Sequence, residues 1–249
     1  MRATALVASA WLFFAAQGAE IKVLAGSAVQ PVMNEVIPAF EAKTGHRVAF
    51  DYGTVGGMAQ RAQRGERADA VIVSGPQMDA LEKEGRSLAA TRLNLGKTGV
   101  GAFVKKGAAK PDITSVDAFK RTMLAAKSIG YNDPAAGAPV SLYLIELFGK
   151  MGIADRMTPK TVAFKQRSER FEAVARGDVE IGFNQMSEII AQPSVDLVGP
   201  LPEPIQNYTS LNIGVLAVAE HPDAARELIA YLATPEVTAR FRKGGFDAP

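Results

Sequence analysis

The chain has 249 residues, 47% hydrophobic and 22% charged, with 23 glycines, 14 prolines and no cysteine; these are ordinary values for a globular protein of one large domain or two modest ones. A formal charge of +2 spread along the chain leaves no basic stripe to suggest nucleic acid. The lack of cysteine excludes disulfides, thiolate metal sites, cysteine nucleophiles and a lipid-modified N-terminal cysteine.

Arg2 is the lone basic residue ahead of an apolar run over 3–16 (ATALVASAWLFFAA). Small residues follow at Ala16, Gly18 and Ala19, and then Glu20. A positive start, a short apolar stretch and a small-x-small site make up a secretory signal. The run is shorter than the ~20 residues that span a bilayer. The sequence therefore predicts a signal peptide over 1–18, cleaved after Gly18 or Ala19. Cleavage removes Trp11, the single tryptophan, and leaves a mature protein free in the periplasm.

Beyond the signal, short β-like runs alternate with helical patterns. Residues 21–25 (IKVLA) predict a strand and 29–44 an amphipathic helix ended by Gly45. A second strand follows at 47–52 (RVAFDY), then a flexible turn at 53–57 into a helix around 58–64. A third strand at 68–74 (ADAVIVS) leads through Gly75-Pro76 into a helix near 77–84. The same rhythm continues with strands at 99–105, 128–131, 161–164, 180–184, 195–198 and 211–218. Helices are predicted at 116–123, 140–151, 168–176, 222–232 and 235–242. Apolar strands each followed by a helix argue for an α/β fold with parallel strands covered on both faces. No low-complexity linker divides the chain, so two lobes would have to be joined through ordered strands.

Several fragments, in their order and spacing, carry a family likeness. They are Val23-Leu24-Ala25-Gly26-Ser27, the stretch 67–74 (RADAVIVS), Asn132-Asp133-Pro134, Tyr143 with Gly149-Lys150-Met151-Gly152, and the closing 231–236 (YLATPE). On these residues the chain resembles the periplasmic molybdate-binding proteins, a branch of the type II solute receptors, over nearly the whole mature chain. The resemblance implies a two-lobed type II periplasmic binding protein with mixed, mostly parallel sheets flanked by helices and a ligand in the interlobe cleft. It places lobe 1 at 19–98 plus 214–249 and lobe 2 at 99–213, with crossings at 95–104 and 207–215. It further implies a monomer without cofactor or resident metal that hands a small anion to an inner-membrane ABC-type permease.

Independently of the family, strand-to-helix corners expose unpaired backbone N–H groups at the carboxyl edge of a sheet, where open α/β sheets bind ligands and helix N-termini attract anions. The corners here are Gly26-Ser27, residues 53–57, and Pro139-Val140-Ser141. Carried across from the molybdate receptors, the first binding serine is Ser27. The second corner offers Thr54, although the family's serine aligns better with Val55. The third offers Val140 and Ser141 through their amides, with one extra residue in the turn leaving the register open. Two positions depart from the family. Arg167 stands where the family has a small apolar residue giving its amide, and Gln185 where it has a tyrosine. A guanidinium suits a carboxylate, which it binds through two parallel charge-assisted hydrogen bonds. The expected ligand is thus a small organic acid or another multi-oxygen anion, with true molybdate or tungstate binding as the alternative.

Rival functions stay in view. An exported hydrolase needs a nucleophile with a base, but His46 and His221 lie in no Gly-x-Ser-x-Gly or His-Glu-x-x-His context. Asp69, Asp133 and Glu188 are the carboxylates nearest the expected cleft, and Asp133 before Pro134 reads as a turn former. An iron receptor of the same broad fold needs converging tyrosines, for which Tyr131 and Tyr208 are the candidates. A surface adhesin that kept the fold is a third possibility.

Overall fold

The computed structural model describes residues 18–247; the predicted signal peptide, apart from Gly18 at its end, lies outside them. The elements run β1 (Glu20–Gly26), α1 (Gln30–Thr44), β2 (Arg47–Gly53), α2 (Val55–Gln63), β3 (Ala70–Ser74), α3 (Gly75–Lys83) and β4 (Leu93–Lys105). They continue with α4 (Val116–Ala125), β5 (Ile129–Asn132), α5 (Pro139–Lys150), α6 (Ala154–Met157), β6 (Thr161–Phe164), α7 (Arg167–Arg176) and β7 (Ile181–Gln185). The last are α8 (Met186–Ile190), β8 (Val195–Pro200), β9 (Tyr208–Val215), α9 (Pro222–Leu232) and α10 (Pro235–Lys243). Among the described residues no helix is long and apolar enough to cross a membrane.

The strands follow the order β2-β1-β3-β9-β4-β7-β5-β6, with β8 also paired to β4. β4 belongs to both halves of this order. Its residues 93–99 pair with β9, while 100–103 pair with β7 and 101–105 with β8. Four pairings are parallel (β1 with β2 and β3, β5 with β6 and β7) and four antiparallel. Every antiparallel pairing involves β4 or β9, so the departure from a parallel sheet is confined to the strands at the junction. The register of β4 shifts between Asn94 and Gly96, and Gly96 has φ +117 with its Cβ direction 2.6 Å from the Asp247 carbonyl. A side chain fits neither that backbone nor that space.

Side-chain alternation builds two cores on each half of the sheet. Along β1 and β3, Ile21, Val23, Ala25, Ala70 and Ile72 face α1, α9 and α10, including Phe40, Leu228 and Phe241. Leu24, Val71 and Val73 point the other way, onto Met58 and Leu81 of α2 and α3. The second half repeats the scheme. Val100, Ala102, Val104, Ile129, Ile181 and Phe183 pack on Phe119 and Leu144, whereas Phe103 turns to Phe171 and Val174. Such period-two alternation, buried on both faces, makes each half a lobe with its own core. The C-terminal helices return to the first lobe.

Local boundaries differ from expectation where side chains intervene. α2 begins at Val55, not near residue 58, because the Thr54 hydroxyl accepts the Gly57 N–H at 3.1 Å and caps the helix. The glycines 56 and 57 therefore sit in an ordered first turn. α8 was not foreseen; at five residues it is too short for a helical period to show.

Candidate functional site

Helix starts from both lobes converge on one small cavity of about 30 Å³. The first lobe lines it with Ser27, Ala28, Gly53, Thr54 and Val55; the second supplies Asn132, Ala138, Pro139, Val140, Asn184, Gln185 and Glu188. α2, α5 and α8 all begin at this cavity, and a helix start carries backbone N–H groups without intrahelical partners. The volume holds roughly two water molecules, so an organic acid or a metallate enters only if the lobes part. The lobes meet tightly here: Thr54 donates its hydroxyl to the Ala136 carbonyl across the cleft, and Gly56 lies against Gly137. A Cβ on Gly56 would stand 3.0 Å from the Gly137 oxygen.

Five of the seven expected residues line this cavity: Ser27, Thr54, Val55, Val140 and Gln185. The Ser27 hydroxyl has no partner among the described residues, whereas Val55 and Val140 are buried by their side chains and offer only backbone N–H groups. Gln185 caps α8 from β7, and its Oε1 is buried without a hydrogen bond. Ser141 is fully buried, and its hydroxyl is committed to the Ala138 carbonyl at 3.0 Å. Arg167, the first residue of α7, borders the cavity without lining it. It bridges the lobes, with Nη2 donating to Gln30 Oε1 at 2.9 Å and Nη1 to Glu188 Oε1 at 3.2 Å. These bonds use two of the five guanidinium N–H groups.

Further residues join them that the sequence reading did not select. Asn132 ends β5 in the cavity wall. Arg170, one turn beyond Arg167, is fully buried, and Nη1 donates to Asn132 Oδ1. Burial pulls its guanidinium down to about 10; Arg167 adds to that shift and Glu188 opposes it. Tyr52, at the end of β2, has a buried hydroxyl without a hydrogen bond, and its pKa is raised by burial and drawn partly back by Arg167. The i, i+3 spacing of Arg167 and Arg170 was the one sequence signal for this cluster.

The rival groups fall elsewhere. His46 takes the Ala19 N–H on Nδ1 and faces Glu227 at 3.3 Å. Asp69 is buried and accepts the backbone N–H groups of Lys22 and His221. Asp133 accepts the Ala135 N–H as a turn former. Tyr131 packs in the core of the second lobe, and Tyr208 donates to Glu203 at the surface. Only Glu188, of the three carboxylates considered, stands in the cavity wall.

A two-lobed α/β fold with converging helix starts at the junction defines a type II periplasmic binding protein. The family model of the bacterial extracellular solute-binding proteins matches residues 21–247, and the chain belongs to that family. Membership makes it an exported protein of the solute-binding class that serves ABC-type importers. The aconitate isomerase of a Pseudomonas species is 33% identical, with 96% of this chain and 92% of the relative covered. The molybdate-binding protein ModA of Azotobacter vinelandii is 26% identical over 93% of this chain and 91% of its own. In three dimensions the Azotobacter vinelandii periplasmic molybdate-binding protein superimposes with a TM-score of 0.77 at 17% identity, covering 92% of this chain and 99% of that one.

Proposed function

We propose that the chain is a periplasmic receptor, not an enzyme, that closes its two lobes on a small organic carboxylate and delivers it to an inner-membrane permease. Lobe boundaries at 98/99 and 213/214 go with this reading, as does binding by Ser27, Thr54, Val55, Val140, Ser141, Arg167 and Gln185. One observation carries it: Arg167 ties Gln30 of the first lobe to Glu188 of the second, beside a cavity whose wall, apart from Glu188, is neutral. A tetrahedral metallate held by hydroxyls and amides needs no guanidinium. A carboxylate gains two charge-assisted bonds from one.

Titration of the native protein and Arg167→Ala with metallates and with mono-, di- and tricarboxylates tests this. Loss of a desolvated charge partner costs ~2–5 kcal/mol in binding, and an exposed arginine ~0–1 kcal/mol that salt masks. The expected result is a carboxylate preferred over molybdate and a loss beyond about tenfold, ~1.4 kcal/mol, in Arg167→Ala at physiological salt. Preference for molybdate, or a variant within about threefold of native, rejects the carboxylate.

A second reading is favoured by the relative named aconitate isomerase and by Glu188. This carboxylate stands in the cavity wall with Oε2 unbonded among the described residues. A base there is placed to take a proton from a methylene of a bound unsaturated tricarboxylate and return it two carbons away, which shifts the double bond. Incubation with trans-aconitate, followed by proton NMR, separates the readings. Turnover lost in Glu188→Gln makes the chain an isomerase; binding without turnover keeps it a receptor.

A further inference from the structure

We propose that Arg170 is a second anion-binding residue of the cleft, and that the ligand class is therefore the polycarboxylates whose acid groups sit on neighbouring or next-neighbouring carbons. The inference rests on the carboxylate reading above and deepens it.

Arg170 is the largest fully buried side chain of the described residues, yet it appears in no ion pair there. Nη1 reaches the neutral Asn132 amide, and Nε and Nη2 have no partner at all. Buried arginines that serve structure alone are paired, because an unpaired buried cation loses its hydration with nothing in return. The Phe171 ring, 5.3 Å from the guanidinium carbon, meets part of the charge but no N–H group. What Arg170 adjoins is the cavity: Asn132 lines it, and so does Glu188, whose charge acts on Arg170. Arg167 is close enough to act on it as a like charge. Two guanidinium groups against one carboxylate leave one positive charge uncompensated, and Arg170 is the one cut off from water.

Position adds the geometry. Arg167 and Arg170 are three apart on α7, so their side chains leave one helix face with Cβ atoms about 5–6 Å apart. A single carboxylate engages one of them; a ligand with two nearby acid groups engages both. The unpartnered Gln185 Oε1 and Asn184 Nδ2 lie in the same wall and can take up hydroxyl or carboxyl groups.

The test compares succinate, its monomethyl ester, tricarballylate and molybdate by calorimetric titration of the purified protein and of Arg170→Met. The native protein should bind one of the polyacids at least about thirtyfold more tightly than the monoester. In Arg170→Met that ratio should collapse to within about threefold while the ester's own affinity holds. The ligand-free melting temperature should stay level or rise, since a buried unpaired charge has been removed. A native ratio within about threefold overturns the proposal, as does a variant that keeps the native ratio. If Arg170→Met does not fold, the native ratio still decides. Ester binding that depends on Arg167 without polyacid preference sinks only this inference. Molybdate binding with no carboxylate bound sinks the carboxylate reading and this inference with it.

Discussion

The two lobes share one construction and treat their buried polar atoms in opposite ways. In the first lobe Asp69 holds two backbone N–H groups, Ser87 bonds the Val215 carbonyl, and Asn212 accepts from Arg92. In the second, Arg170, Asn184, Gln185 and Ser187 all bury atoms without a partner. The first lobe's exceptions are the Tyr52 hydroxyl beside Arg167 and one oxygen of Glu82. Charge divides the same way, since Arg167, Arg170 and Glu188 belong to the second lobe while Ser27, Gln30 and Thr54 of the first are neutral. Native proteins satisfy nearly all buried polar groups, so a cluster of exceptions calls for a partner from outside the chain, a water included. The difference teaches that the first lobe closes most of its own hydrogen bonds, whereas the second leaves unpartnered atoms grouped around the cavity.

The sharpest break of that comparison is Asp69→Ala. It strands the part-buried Lys22 and His221 N–H groups far from the cleft, and each donor left without a partner costs up to ~1–3 kcal/mol. A loss of about 2–5 kcal/mol in denaturant unfolding is expected, with ligand affinity unchanged in the folded fraction. A stability within about 0.5 kcal/mol of native would show that the first lobe is not built on satisfied polar groups.

Next in size is Gly56→Val, which acts only when the lobes meet. Its side chain would collide with the Gly137 backbone in the closed form and with nothing comparable when they part. Affinity for the best ligand should fall at least about tenfold, ~1.4 kcal/mol, while the ligand-free melting temperature moves by no more than a few degrees, on the order of 2–4 °C per kcal/mol. Native affinity in this variant would mean that binding does not require that contact.

A smaller effect is set by pH in the first lobe. Arg61 donates to Glu66, at 2.6 Å from Nε, and to Asp51, and the Arg61 bond holds the Glu66 carboxyl below its ordinary range. A carboxylate with a lowered folded pKa contributes stability above its unfolded value near ~4.3 that is lost as pH falls through the folded value. Because the group is a third exposed, the contribution is about 1 kcal/mol or less. Native and Arg61→Gln unfolding curves should differ by that amount at pH 7 and converge on acidification. A gap that persists at pH 2 would assign the effect to packing.

Smallest of all is Ser187→Ala, which removes a buried hydroxyl that has no partner. Thermal unfolding should stay within about 0.5 kcal/mol of native, the mirror image of Asp69→Ala. A loss above about 1 kcal/mol would mean the hydroxyl is satisfied after all.

Periodicity and turn chemistry determined the alternation of strands and helices, the helix from 222 to 232 and the corners at 26–27, 53–57 and 139–141, because local hydrophobic pattern and turn signals reside in neighbouring residues; Val55 and Gln185 stood out only through the family likeness. The same local view read 53–57 as a flexible turn, since the hydroxyl that caps α2 outweighs two glycines only once the helix exists. Arg167 was legible as an oddity against a family pattern, but its partners, Gln30 at 137 residues' separation and Glu188 at 21, were not. Asn132 and Tyr52 gave no local sign of a shared purpose, and Arg170 only its i, i+3 spacing from Arg167. Only the tertiary structure decided that these groups meet, because β4 and β9 carry the chain between the lobes and fold distant strand ends onto one cavity. The unsatisfied guanidinium became visible there, since a missing partner is a property of surroundings and not of sequence.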